Sequence, residues 1–332
     1  MLQPQQSPLR FGFLLLPKYS MIAVTSAIET LRMANRLSEE TLYEWPVITL
    51  DGEPVPASND LMVAPDYAAD ACPKLDIVFV CSGLEVTGVF TKELQKYLCN
   101  KERQKVNLGG LCTGTYLLAK AGLMDGYSCT IHWENIASMR EAFPKVNVSD
   151  ELFEIDRDRY TCAGGNAPLD MMLKIISDTN GSTLSANISE QFMCDRIRGR
   201  HDRQRVPLQL HLGSGQPKLI EAVTLMEANI EEPMSVDELS HLVGISSRQL
   251  ERLFQKHLNC VPTRYYMNLR LTCARRLLLQ TNKSVVDVSL ACGFVSAPHF
   301  SKCYRDFFGI PPRDERKFTN QNPNIKGVIK SE

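Results

Sequence analysis

The stretch Val236-Asp-Glu-Leu-Ser-His-Leu-Val-Gly244 returns about fifty residues later as Val285-Val-Asp-Val-Ser-Leu-Ala-Cys-Gly293, and Leu250-x-x-Leu253-Phe254 returns as Phe300-x-x-Cys303-Tyr304. A repeat of this kind marks one structural unit used twice. Each copy reads as a short amphipathic helix, a turn at glycine, and a second helix opened by Ser246-Ser247 or by Ser296. Glycine accepts the positive φ that such a turn needs, and serine supplies an N-cap for the helix that follows. Each copy closes on a proline, Pro262 or Pro312, eight residues past the aromatic. This is the grammar of two helix-turn-helix motifs in tandem. Thr263–Leu279 reads as one longer helix between them, with Tyr266, Leu269, Leu277 and Leu278 apolar and Arg270, Arg275 and Arg276 polar, and it sets their separation.

Working outward, the 332-residue chain carries 37 Lys+Arg against 38 Asp+Glu, a formal charge of −1 that taken alone argues against nucleic acid. The sum hides a division. Ser235 to Phe318 holds 13 Lys/Arg against 7 Asp/Glu, a net +6, which leaves −7 for the rest. A basic all-α module therefore sits beside an acidic domain of different purpose. In a helix-turn-helix the N-terminal residues of the second helix lie on base edges in the major groove. In the first copy that edge is Ser247, Arg248, Gln249, Glu251 and Arg252; in the second it is Ser296, Ala297, Pro298, His299 and Lys302. Arginine and glutamine suit bidentate reading of guanine and adenine, and a glutamate accepts from cytosine. The first copy is expected to supply more direct specificity, the second more phosphate or methyl contact.

From about Pro217 to Phe318 the chain resembles the DNA-binding domain of the AraC family of transcriptional regulators. The resemblance is carried by Val288-Ser-Leu-Ala-Cys-Gly-Phe294, His299-Phe-Ser-Lys-Cys-Tyr-Arg305 and Phe308-Gly-Ile-Pro-Pro312. It implies double-stranded promoter DNA as partner, two recognition helices in successive major grooves, and DNA bending if the linking helix is rigid. It further implies an activator, a homodimer, and RNA polymerase as a second partner.

Ahead of this module the pattern changes to strand alternating with helix. Phe11–Leu16, Trp45–Leu50, Ile77–Cys81 and Val106–Gly110 have the length and apolar content of buried strands, while Ala23–Leu37, Lys92–Cys99 and Thr115–Ala121 carry helical spacing. Cys129–Trp133, Leu152–Ile155 and Tyr160–Ala163 continue as strands, with helices at Asn135–Ala142 and Pro168–Thr179. The expected fold is α/β, a parallel flavodoxin-like (amidotransferase-like) sheet covered on both faces, followed by the all-α domain. The expected boundaries are 10–200 for the α/β domain, 201–217 for a Gly/Ser/Pro-punctuated linker, 218–318 for the helical domain, and 319–332 for a flexible tail. The eleven cysteines form no C-x-x-C pair and no zinc-type spacing, and most lie in apolar runs. Reduced thiols in a cytoplasmic protein, with no metal and no cofactor, are expected. No secretory signal and no run long enough for a membrane span is read.

The sharpest feature of this half is Val106-Asn-Leu-Gly-Gly-Leu-Cys112-Thr-Gly-Thr-Tyr116. A buried strand running through glycines into a cysteine, a glycine and a helix describes a nucleophile elbow. The helix N-terminus is expected to lower the thiol's pKa, and His132 to arrive from the strand Cys129–Trp133. Residues 10 to 197 resemble the glutamine-amidotransferase-like superfamily that includes PfpI-type proteases and deglycases. A cysteine-dependent amidohydrolase or deglycase with a DNA-binding appendage is thus one reading, and a thiol redox sensor another. The departure from that family is the segment Tyr19 to Ile28, which lacks the supporting acid those enzymes place there. The favoured reading is a pocket that binds without cutting. As a whole the chain resembles AraC-family regulators with an amidotransferase-like sensor domain, through Asp125–Glu134, Arg203–Pro207 and Leu225–Pro233. The subgroup it is most similar to senses glycine betaine, carnitine or arginine, which implies a small amine or amino acid as effector. The residues offered for it are the Cys112 and Thr113 N–H groups for a carboxylate, Trp133, Tyr116 or Tyr19 for a quaternary ammonium, Glu134 for a guanidinium, and His132 beside the thiol.

Overall fold

Along β1, Leu9–Leu15, the side chains alternate between two apolar cores: Phe11, Phe13 and Leu15 face one, Leu14 the other. The same alternation recurs in β7, Ile77–Ser82, and both cores are needed because helices cover both faces of a parallel sheet. The structure is a computed structural model that describes residues 8–315 apart from 195, 203, 205–215 and 282. Backbone contacts divide the chain into Met1–Arg205 and Val206–Glu332. Most of the expected linker, and all of 319–332, lies outside the described residues.

In the first unit the helices are α1 (Met21–Ser38), α2 (Lys92–Arg103), α3 (Gly114–Lys120), α4 (Ile136–Ala142), α5 (Ala167–Asn180) and α6 (Ser182–Gln191). Helices α1, α5 and α6 pack on one face of the sheet; α2, α3 and α4 pack on the other. Besides β1 and β7 the main sheet contains β2 (Tyr43–Glu44), β3 (Val47–Thr49), β6 (Tyr67–Ala68), β8 (Asn107–Cys112), β11 (Phe153–Asp156) and β12 (Arg159–Cys162). Its order is β11-β12-β8-β7-β1-β3-β6, with β2 also on β1. All pairings in it are parallel except β11 with β12, so the sheet is mostly parallel with an antiparallel edge. A small hairpin, β4 (Val55–Pro56) with β5 (Met62–Val63), lies outside it.

The expected strand Cys129–Trp133 is a correction. Only Ser128–Cys129 (β9) is extended, and it pairs with β10, Asn147–Val148, in a separate two-stranded sheet. The next residues satisfy their polar groups elsewhere: Thr130 N–H donates to Thr161 Oγ1 and Thr130 Oγ1 to the Glu151 carbonyl. Trp133–Asn135 then form a 3-10 turn, so His132 stands at the head of a turn. Likewise Trp45–Leu50 contracts to β3.

The second unit is helical: α7 (Pro217–Ala228), α8 (Val236–Val243), α9 (Ser247–Leu258), α10 (Pro262–Gln280), α11 (Val285–Ala291) and α12 (Ala297–Phe308). It has two cores. Leu219, Leu239, Val243, Leu250 and Phe254 form one with Tyr266 from the start of α10; Leu271 to Leu278 from its end form the other with Val288, Phe294, Phe300 and Tyr304. The long helix is therefore part of both helix pairs. Helices α8, α9 and α11 each begin with a reciprocal capping box, at Ser235 with Glu238, Ser246 with Gln249 and Ser284 with Asp287.

Candidate functional site

Strand β8 ends at Cys112 with φ +58°, a conformation costly for a residue bearing a Cβ and expected where a sharp strand-to-helix turn projects a side chain. The turn is possible because α3 opens on Gly114, where a Cβ would run into the Val80 carbonyl. Thr113 Oγ1 ties the turn to the next strand end by donating to the Gly83 carbonyl at 2.7 Å.

The sulfur is closed in. Cys112 is 7% exposed, and burial pushes its thiol up to about 12, with the Thr113 N–H opposing and the Glu134 carboxylate adding to the rise. This corrects the expected low thiol pKa, since desolvation outweighs whatever a seven-residue helix contributes. The His132 N–H donates to the Cys112 carbonyl at 3.3 Å. A Cβ on Gly164 would stand 2.7 Å from His132 Cδ2 and 2.9 Å from Cys112 Sγ, so imidazole and sulfur close on the same piece of backbone. His132 Nδ1 lies 3.7 Å from Glu134 Oε2, and the His132 ring tilts against Trp133 with centroids 5.7 Å apart. The His132 and Glu134 side chains are 26% and 38% exposed, and Trp133 is half-buried.

These contacts link Cys112, Thr113, His132, Trp133 and Glu134, and neither tyrosine ring takes part in them, although the Tyr19 backbone is bridged to Gly83 beside Thr113. Tyr19 is wholly buried in the core under α1 and α5, and its hydroxyl has no hydrogen-bond partner among the described residues. Tyr116 packs edge-on against Phe143 at 5.1 Å in the opposite core, with the Lys120 ammonium 6.0 Å from its ring. Two neighbours were not read from the sequence. Gly164 carried only the weak signal of a glycine pair after a strand. Gln204 lies in the stretch Arg203–Pro207 that carries part of the resemblance but was assigned no role there; its Nε2 donates to Thr130 Oγ1 and to the Ile131 and Glu151 carbonyls at 2.8 to 3.0 Å.

In the helical unit, Arg248, Glu251 and Arg252 are exposed along α9, and Gln255, which the sequence reading did not single out, is exposed on the next turn. Ser247 and Gln249 are engaged locally. Ser247 Oγ donates to Asp237 Oδ1 at 2.6 Å, and Gln249 Oε1 accepts from the Ser246 N–H and hydroxyl. On α12, Ser296 Oγ accepts from the His299 N–H as N-cap, while Ala297 is half-buried and Pro298, His299 and Lys302 are exposed. His299 Nε2 lies 3.4 Å from Cys303 Sγ.

Comparison with known proteins matches both halves. Residues 239–317 match a family model described as a helix-turn-helix domain, and residues 19–178 match the DJ-1/PfpI family. The chain is similar to the HTH-type transcriptional regulator GbdR of Pseudomonas aeruginosa, 54% identical over 312 residues that span 94% of this chain and 85% of that one. It is similar to the HTH-type transcriptional regulator CdhR of the same organism, 44% identical over 306 residues, 92% of this chain and 91% of that one. The crystal structure of an AraC family transcriptional regulator from Pseudomonas putida matches 56% of this chain and 100% of its own, with 32% identity and a TM-score of 0.51.

Proposed function

We infer the regulatory chemistry from one premise: the chain belongs to the AraC-type helix-turn-helix transcriptional regulators that carry a DJ-1/PfpI domain. It is a DNA-binding regulator of transcription. We propose that the α/β unit is its sensor, and that the effector is a small quaternary amine or amino acid such as carnitine, glycine betaine or arginine. The observation that carries this reading is the grouping of the Glu134 carboxylate with the half-buried Trp133 ring beside His132. A carboxylate and an indole are the two groups that attract an alkylammonium, the ring adding roughly 0.5–2 kcal/mol by cation–π attraction. The protonated Cys112 thiol supports binding over covalent catalysis, because the thiolate is the nucleophile. In this reading the protein is a cytoplasmic, homodimeric activator that meets RNA polymerase at its promoter, and it is not an enzyme.

The test is a thermal-shift screen of the full-length chain against amines and amino acids. A ligand at a hundred times its Kd stabilises by about 2.7 kcal/mol. One member of the panel is expected to raise Tm, and Trp133→Ala and Glu134→Gln to weaken that ligand about tenfold or more. No shift with any amine, or shifts untouched by both substitutions, would sink the proposal. The positive φ at Cys112 is what favours the hydrolase reading. Turnover of an amide panel that disappears in Cys112→Ala would establish it instead.

A further inference from the structure

The two helix pairs turn differently. From Gly244 the first reaches its N-cap, Ser246, through Ile245 alone; from Gly293 the second reaches Ser296 through Phe294 and Val295. Packing explains the outcome. Phe294 is buried in the second core against Phe300, ring centroids 5.0 Å apart, and the residue after it is turned outward. Val295 is fully exposed, although water is an unfavourable setting for a β-branched apolar side chain.

The turn beneath it is held from three sides. Arg270 Nε and Nη2 donate to the Cys292 and Gly293 carbonyls at 2.8 and 2.6 Å, and its guanidinium lies 4.1 Å from the Phe294 ring centroid. A Cβ at Gly293 would meet the Ile230 and Glu231 carbonyls and the Pro233 ring at 2.7 to 2.8 Å, whereas at Gly244 it would meet only the Lys218 ammonium at 3.9 Å. Val295 is therefore a rigidly mounted apolar knob, one residue ahead of the N-cap of a helix whose N-terminal edge lies on base pairs. Ala297 and Pro298 continue that apolar edge, and Pro298 has no N–H to offer a phosphate.

We propose that Val295 reads thymine, packing its methyl groups against a thymine C5-methyl in the major groove. That methyl is the apolar group which the groove presents, and only A·T pairs carry it. The first helix pair then reads base edges by hydrogen bonds through Arg248, and the second reads a methyl. The proposal rests on the two second helices being the DNA-reading elements and adds the base that the second one selects.

The test uses the full-length chain and duplexes it selects from a random-sequence DNA pool. Arg248→Ala marks the half-site of the first pair by relaxing its base preference. In the other half-site, replacing one thymine at a time by deoxyuridine removes only the methyl. At one position this is expected to weaken binding about fourfold, the worth of one methyl group taken from water. Val295→Ala is expected to weaken binding to the thymine duplex by a similar factor and to make the protein indifferent to deoxyuridine there; Val295→Thr, which keeps one methyl, falls between. A Val295→Ala protein that melts like wild type yet still loses about fourfold on that replacement overturns the proposal. So does a second half-site in which no thymine methyl matters. If Arg248→Ala and Val295→Ala both leave the selected sequence bound as before, the placement of the reading helices fails, which is a different failure from that of the thymine assignment.

Discussion

At the scale of single residues, Cys112 shows how far a motif and its chemistry can separate. The left-handed backbone and the glycine after it are those of an elbow, but burial holds the sulfur as a thiol. Because its folded pKa lies above the ordinary thiol value of 9.0, the native state favours the neutral form. That contribution is complete below about pH 9 and is lost as pH rises toward 12. Iodoacetamide at pH 8 is therefore expected to leave Cys112 unlabelled in the native protein and to label it in urea, as read by peptide mass spectrometry. Equal labelling in both would mean that the sulfur is open and ionised. Gly114→Ala forces a methyl onto the Val80 carbonyl and is expected to lower the urea midpoint by the equivalent of roughly 1–3 kcal/mol or more, the usual cost of overpacking.

Among the helices, the DNA-binding unit depends on local devices at their ends. Glu238 and Asp287 are held below the ordinary carboxylate values of 4.5 and 3.8 by the backbone and hydroxyl donors of Ser235 and Ser284. A carboxylate with a depressed folded pKa contributes stability above its unfolded pKa and loses it as pH falls through the folded one. The melting temperature of the helical unit is thus expected to fall more steeply between pH 5 and pH 3 in wild type than in Glu238→Gln/Asp287→Asn; parallel curves would contradict this. Ser235→Ala and Ser284→Ala should each cost about 1 kcal/mol. A second device closes the last helix pair. Glu315, the last of the described residues, is wholly buried and accepts from Arg275 Nε and from the Tyr304 hydroxyl, both at 2.8 Å, and so is pinned to α10 and α12. Glu315→Ala removes one partner of a buried ion pair and is expected to cost about 3 kcal/mol, with Glu315→Gln retaining part of that. A melting curve unchanged by Glu315→Ala would show that the contact carries no weight.

For the whole molecule the division of charge, +6 against −7, lets one chain bind a polyanion while its other half remains acidic. Binding to DNA is expected to weaken steeply with salt, with a log–log slope of about −5 or steeper if both helix pairs touch phosphates. A slope of −1 to −2 in a gel-shift titration would mean that one pair at most engages the backbone.

The repeat, the charge boundary and the alternation of strand with helix are local properties, legible because helix caps, turn glycines and apolar periods act over a few residues. They determined the α/β unit, the tandem helix pairs and the elbow at Cys112. The identity of the neighbours was not legible. Gly164 and Gln204 reach the His132 segment from residues far along the chain, Tyr19 and Tyr116 fall into opposite cores of the same sheet, and Gln249 is engaged at its own helix cap. Those outcomes depend on which face of an element is buried and which polar groups meet across it. Desolvation, which decides the state of the Cys112 thiol, likewise exists only once distant segments have closed over it.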